Sequence, residues 1–423
     1  MNERSRTRRD FIQNITIAVL TVSAVLLFTQ TQISNLGASS TLSRLFSGPD
    51  VQSSSVITPQ QDAVSPGAPV RVAAASTYGR YGGVAMTTSD EEFLPLRQLL
   101  EQALGSAQSL TFSSSQAFRE ALNRTSAYYD FLSPLPLSIL ADLSQTSLDE
   151  DAVFARRLVL AEENGAVALY LWDGANRYYR SGTALSAGDL NAVVSQYELG
   201  NAFFAFEGTE DHVLAPYSLL PGEEPRLPQL AAVSSLSDTT HLLASLGFNP
   251  NTQNRYWESE TTEVISENNG RTLRLSTDGT VVYQSGDDPT LSIQAAGEVP
   301  SMVEAASEVR LLLSELLAPV MGDAQVYLEQ IQQVGAATTL RFGYQAGGVP
   351  IRFADGGCAA HVTLSGTTVS SMELRIRQYT VTENDSLLLP LRQALAIAAG
   401  GAELSIGYAD SGGDTVSAAW LAD

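Results

Sequence analysis

Hydrophobic positions along this chain fall into three patterns, and each predicts a different kind of element. The first is an unbroken run. Residues 11–28, FIQNITIAVLTVSAVLLF, hold no charged side chain, and after Asp10 the next charge is Arg44. A run of that length, at ~1.5 Å rise per residue, is enough to cross a bilayer core of ~30 Å. The second pattern is helical spacing. Leu96, Leu99, Leu100, Ala103 and Leu104 predict a helix over 95–104 with Gly105 as its stop. Similar stretches predict helices over 118–127, 188–197, 239–246 and 387–399. The longest such face runs from Met302 to Leu317, opened by a Ser301/Glu304 capping box and ended by Pro319. The third pattern is alternation. Leu340, Phe342 and Tyr344 alternate with Arg341 and Gly343, and Met372, Leu374 and Ile376 with Glu373, Arg375 and Arg377. Such alternation predicts antiparallel sheet with one wet face. The dipeptides Asn164-Gly165, Asp173-Gly174, Asn269-Gly270 and Asp278-Gly279 tolerate the positive φ that tight turns demand, and predict hairpins. Strands are expected at 260–266, 271–276 and 280–285, with a closing strand near 403–408.

The flank of the first run sets its orientation. Arg4, Arg6, Arg8 and Arg9 precede it, so the positive-inside rule places a short arm, residues 1–10, in the cytoplasm and the bulk of the chain outside. Two other readings compete with a membrane anchor over 11–30. A cleaved signal peptide needs a small-residue site after the apolar core, and only Gly37-Ala38 offers one. A twin-arginine export signal fits Arg8-Arg9. Length and flanks favour the uncleaved anchor. Residues 31–76, rich in Ser, Pro, Gln and Gly and without periodicity, read as a flexible tether. The folded part then divides into a first α+β domain over 77–236, a helix-plus-sheet unit over 237–298 and a C-terminal helix-plus-sheet domain over 299–423. The expected fold class is α+β: a single transmembrane helix, a disordered tether, then antiparallel sheets covered by helices.

Charge and reactive residues narrow the chemistry. The formal net charge is −22, and every one of the 24 basic residues is arginine. Such an acidic surface repels phosphate backbones, so nucleic acid is not an expected partner. The single Cys358 permits neither an intrachain disulfide nor a thiolate metal cluster. Cys358 and His361 stand three apart, but on a strand His361 would point away from the Cys358 face, against a Cys–His dyad. His212 and His241 belong to no metal-ligand motif. Glu258, Glu260 and Glu263 cluster beside Tyr256 and Trp257, as a glycosidase pair would, but also as a solvated strand edge would. Neither 149–151 nor 410–414 has the ligand spacing of a calcium loop. No catalytic, cofactor-binding or metal-binding residue is expected. The anchor instead carries polar and small groups: Asn14, Ala18 and Thr21 on one helical stripe, Thr16 and Ser23 roughly opposite. Residues of this kind let transmembrane helices pack and hydrogen-bond, and these five are the expected partner contacts.

With an Arg-rich arm, one anchor, a tether and a catalytically bare α+β ectodomain in place, the chain resembles the YycH/YycI family. The stretch that carries the likeness best is 342–379, FGYQAGGVPIRFADGGCAAHVTLSGTTVSSMELRIRQY, in which a Gly-x-Pro segment precedes a strand, a Gly turn and another strand. The apolar run LLLPLRQALAIA, 387–398, stands where the family places its next helix. The long tether and the absence of Lys depart from the family pattern. The resemblance implies a non-enzymatic regulator of a membrane sensor histidine kinase that governs cell-wall metabolism. It implies contacts through the transmembrane helix and ectodomain, with a related accessory membrane protein as a further partner. Two alternatives stand beside it. One is a surface module binding a wall polymer through Tyr178-Tyr179 or Tyr256-Trp257; the other is an exported hydrolase with two convergent carboxylates.

Overall fold

Two large sheets, antiparallel but for one strand pair, carry most of the described chain. The structure is a computed structural model, which describes residues 65–422 apart from 77–85, 88–92, 143–151, 199, 201, 208–216, 218, 222–225, 235, 237–238, 288–290 and 398–403. The expected anchor at 11–30 and tether at 31–64 lie outside the described residues. Among the described residues no helix is long and apolar enough to cross a membrane.

The first sheet has seven strands, in the order Met86–Thr87, Arg71–Ala75, Ser126–Pro136, Phe154–Glu163, Ala166–Trp172, Tyr178–Ser186 and Thr111–Phe112. Its central strands are buried on both faces, which explains why their sequence is nearly continuous in apolar residues. Tyr129, Leu158, Leu160, Leu169 and Leu171 face a core shared with the helices Leu94–Gly105 and Ala187–Val194. Tyr128, Val159, Ala168, Tyr170 and Trp172 face the other way, onto the helix Ser115–Leu122. The hairpin between Phe154–Glu163 and Ala166–Trp172 turns on Asn164 and Gly165, at φ 53° and 84°, as the Asn-Gly pair predicts. The helix expected over 118–127 is instead Ser115–Leu122, capped by the Ser114 side chain accepting from Ala117 N–H. Helical spacing ends at Leu122, and Ala127 lies in the strand Ser126–Pro136, with its side chain in the core.

The second sheet has thirteen strands. From one edge they run Arg255–Trp257, Thr262–Ser266, Thr272–Ser276, Thr280–Gln284, Thr368–Arg375, Ala360–Ser365, Ala337–Ala346, Val349–Phe353, Leu404–Asp410, Thr415–Ala422, Pro228–Val233 and Gln378–Asp385. Gln325–Val334 pairs with Ala337–Ala346 outside that path, and Val349–Phe353 runs parallel to Leu404–Asp410. The strands of 255–284 join the later ones edge to edge, with Val281 opposite Leu374. The helix Met302–Leu317 covers this sheet's dry face with Ala305, Ala306, Val309 and Leu313, and has the predicted Ser301/Glu304 capping box. The helix expected from 387 begins at Leu391, because Pro390 biases its predecessor away from helical dihedrals. The strand expected to close the fold, Leu404–Asp410, is followed by one more, Thr415–Ala422, so the acidic run at 410–414 is a turn. The whole is mixed α+β and sheet-rich, with seven α-helices among the described residues.

Candidate functional site

Three carboxylates, Asp130, Glu329 and Asp410, each combine arginine and tyrosine partners, and the most open of the three sits on an irregularity in the second sheet. Between Leu328 and Gln330 the pairing of Gln325–Val334 with Ala337–Ala346 shifts by one residue. Glu329 is the extra residue of this β-bulge, a device that re-aims a side chain. Its Oε2 accepts from Arg341 Nε at 2.9 Å, and its Oε1 from Arg352 Nη1 at 2.6 Å and Tyr327 O–H at 2.9 Å. Gly343 leaves the space the carboxylate occupies: a Cβ there would meet Glu329 Oε1. Arg341 Nη2 also donates to the carbonyls of Gly356 and Gly357, at 2.7 and 3.1 Å. That turn is held in place by Asp355, which accepts from Gly357 N–H and twice from Arg375.

A second bulge forms the opposite wall. In Ser126–Pro136 the register shifts between Asp130 and Leu135, and Leu132 sits at φ 62°, unusual for a non-glycine residue. Leu132 N–H donates to Asp130 Oδ1 at 2.9 Å, which fixes the turn, and its side chain packs on Tyr327. The two bulges therefore touch. Between them lies a groove of about 660 Å³, lined by Ser133, Pro134 and Phe154 on one side and Glu329, Gln330, Ile331, Gln332, Arg341 and Arg352 on the other. Glu329 is 10% exposed at its side chain, whereas both arginines are 37% exposed. Burial pulls Arg341 down, but the Glu329 bond and charge outweigh it and hold the guanidinium above its ordinary value. Burial, reinforced by the Glu329 charge, pushes the Tyr327 phenol far up, so it stays a donor.

The other two centres differ in exposure. Asp130 is buried with Arg157 and lies 3.2 Å from Arg71 Nη2 and 3.5 Å from Arg157 Nε, while Arg157 also stacks over Trp172. Burial alone would raise the Asp130 carboxyl; the charges of Arg157, Arg71 and Arg156 overcome it and hold it far below the usual range. Asp410, also buried, takes Arg377 Nε at 2.5 Å, Arg377 Nη2 at 3.0 Å and Tyr379 O–H at 2.8 Å. A smaller cavity of about 270 Å³ adjoins it.

The residues singled out from the sequence are scattered. Asn14, Thr16, Ala18, Thr21 and Ser23 lie outside the described residues, as do 149–151. Cys358 is a half-buried free thiol pushed up by burial, and His361 is exposed on the wet side of its strand. Glu263 takes both Arg255 nitrogens and Glu258 takes Arg274, so these carboxylates serve ion pairs at a sheet edge. Tyr256 and Trp257 are exposed, but as strand neighbours they face opposite sides and build no common platform. Tyr178 packs among Phe118, Trp172 and Tyr217, and Tyr179 is buried. Among the described residues no three His, Cys, Asp or Glu side chains gather to hold a metal.

No protein-family model matches this chain, and no curated protein sequence does. The structure resembles the crystal structure of YycH from Bacillus subtilis, with a TM-score of 0.52 at 12% identity, over 86% of this chain and 95% of that one. The fold is YycH-like.

Proposed function

We propose that this chain is a bacterial single-pass membrane protein that regulates a membrane sensor histidine kinase and catalyses nothing itself. The observation that carries the reading is the YycH-like fold extending over 86% of the chain. It agrees with the likeness to the YycH/YycI family drawn from 342–379 and with the family's association with two-component systems. In this reading residues 11–30 hold the chain in the bilayer, with the amino terminus cytoplasmic and the ectodomain outside. Asn14, Ala18 and Thr21, with Thr16 and Ser23, pack against partner helices. The partner is the kinase, joined by a related accessory membrane protein, in a system linked to cell-wall homeostasis. Regulation then requires that the ectodomain and anchor bind one kinase state better than another, by ~1–3 kcal/mol.

The test replaces residues 11–28 by a scrambled run of equal hydropathy and follows expression of the kinase's target genes. Loss of regulation with unchanged membrane content supports the reading. Regulation that survives unchanged removes the helix contacts, and membrane cross-linking that traps no kinase removes the partner.

A further inference from the structure

We propose that the free edge of the second sheet, Arg255–Trp257, pairs with the same edge of a second copy of this chain. The inference concerns this strand and requires neither the anchor nor a kinase. Arg255–Trp257 ends the strand order, and its one partner strand is Thr262–Ser266. The ladder between them runs through even-numbered residues of the edge: Ser266 N–H donates to the Asn254 carbonyl, and Glu258 N–H to the Thr262 carbonyl. Bonded and non-bonded positions alternate along an antiparallel pair, so the N–H and C=O of Arg255 and Trp257 point outward. The opposite edge of the sheet, Gln378–Asp385, is occupied: the Met321 carbonyl accepts from Tyr379 N–H, and the Asp323 carboxylate from Val381 N–H.

Three features select a second copy as the occupant. The first is register. A two-fold axis through Tyr256, perpendicular to the sheet, sets Arg255 of each copy opposite Trp257 of the other. These are the two residues whose backbone groups point outward, so four backbone hydrogen bonds close with none out of step. The second is side-chain fit. Arg255 and Trp257 share one face, in line with Ile265, Leu273 and Leu275. Trp257 is 62% exposed, and no other ring packs against it among the described residues. Arg255 gives one edge of its guanidinium to Glu263, Nε at 2.9 Å and Nη2 at 2.8 Å, which fixes the plane and leaves its flat face open. Across the axis that face meets an indole, so a cation–π contact forms twice. An unrelated strand would gain the backbone bonds without this reciprocal contact. The third is charge. Unpaired charges on an edge keep copies apart, but here Glu263 is held by Arg255 and Glu258 by Arg274. Three-residue strands bury less than the roughly 1,000 Å² of a stable interface, so the dimer is weak and reversible. The net charge of −22 opposes it at long range, so salt should strengthen it.

The experiment uses the purified full-length chain in detergent, with Cys358→Ser to remove the native thiol. Tyr256→Cys lies on the axis, at a non-hydrogen-bonded position where facing Cα atoms stand ~4.5 Å apart, within disulfide range. Under mild oxidation it is expected to form a disulfide-linked dimer at least tenfold faster than Val334→Cys, which is exposed on another strand. Trp257→Ala is expected to slow that reaction several-fold, and raised salt to speed it. Trp257→Pro deletes an outward N–H without touching the ladder to Thr262–Ser266, and is expected to slow it at least tenfold. Trp257→Ala, at an exposed side chain, keeps the test decisive should the proline disturb the strand. Equal rates at positions 256 and 334, or a rate at 256 untouched by both Trp257 substitutions, overturns the proposal. So does a Tyr256→Cys adduct that forms in cell membranes with a different protein and not with this chain.

Discussion

Asp130 and Glu329 are built from the same parts and differ in one respect. Each is a carboxylate at a strand irregularity, each takes two arginines and a tyrosine hydroxyl, and the two bulges meet where Leu132 packs on Tyr327. Asp130 and Arg157 are sealed, each about 1% exposed at the side chain, whereas the arginines on Glu329 remain 37% exposed. Burial decides what such a cluster does. A sealed pair has given up its hydration, so each partner depends on the other and the unit acts on folding. A half-open pair keeps water on its guanidiniums and contributes little to stability. The difference lies in the surroundings: Arg157 is covered by Trp172, while Arg341 and Arg352 line the groove.

The largest effect expected from breaking this contrast is on the sealed side. Asp130→Asn removes the counter-charge of a buried arginine and should cost about 3–5 kcal/mol of stability, measured by urea unfolding. The same residue sets an acid limb. Its folded-state pKa lies below that of the unfolded chain, because three arginines outweigh its burial. The unfolded chain therefore binds the proton first as pH falls. Stability from this group is fully present above the ordinary carboxylate value of about 4 and is lost as pH drops below it toward the folded-state value. Unfolding midpoints of the native chain should fall across that window, and those of Asp130→Asn should fall less. Parallel profiles for the two proteins would show that Asp130 is not the group responsible.

An intermediate effect is expected at the open centre's own carboxylate. Glu329→Gln keeps shape and hydrogen-bonding capacity but removes the charge between Arg341 and Arg352. Both guanidiniums remain partly hydrated, so the cost should be about 1–2 kcal/mol, well under that of Asp130→Asn in the same urea experiment. A cost equal to that of the sealed centre would mean that exposure does not separate the two.

What the sequence disclosed follows from how local each feature is. Asn164-Gly165 and the Ser301/Glu304 box act within a few residues, and both stand where the pattern placed them. The order of the second sheet is not local. Nothing near Pro228–Val233 signals that it lies between Thr415–Ala422 and Gln378–Asp385, because that pairing is written across nearly two hundred residues of intervening chain. The Glu329 site was half-visible. Val326 and Leu328 keep a two-residue period, and the next buried apolar position is Ile331, three residues on. That slip in phase is the mark of a bulge, which a pattern of unbroken alternation does not register. Alternation places Arg341 on a wet face, but its neighbours Glu329 and Arg352 come from adjacent strands and only the fold unites them.

The smallest effect on stability is expected at the open centre's second arginine. Arg352 is 37% exposed, and its Nη1 donates to Glu329 and Tyr327 at the groove's margin. Removing a half-solvated charge of this kind, Arg352→Gln, should shift unfolding by less than about 1 kcal/mol, since water replaces much of what is lost and Arg341 still neutralises Glu329. A loss as large as that of Asp130→Asn would make the open centre a second folding element, and the contrast with Asp130 would then be one of degree alone.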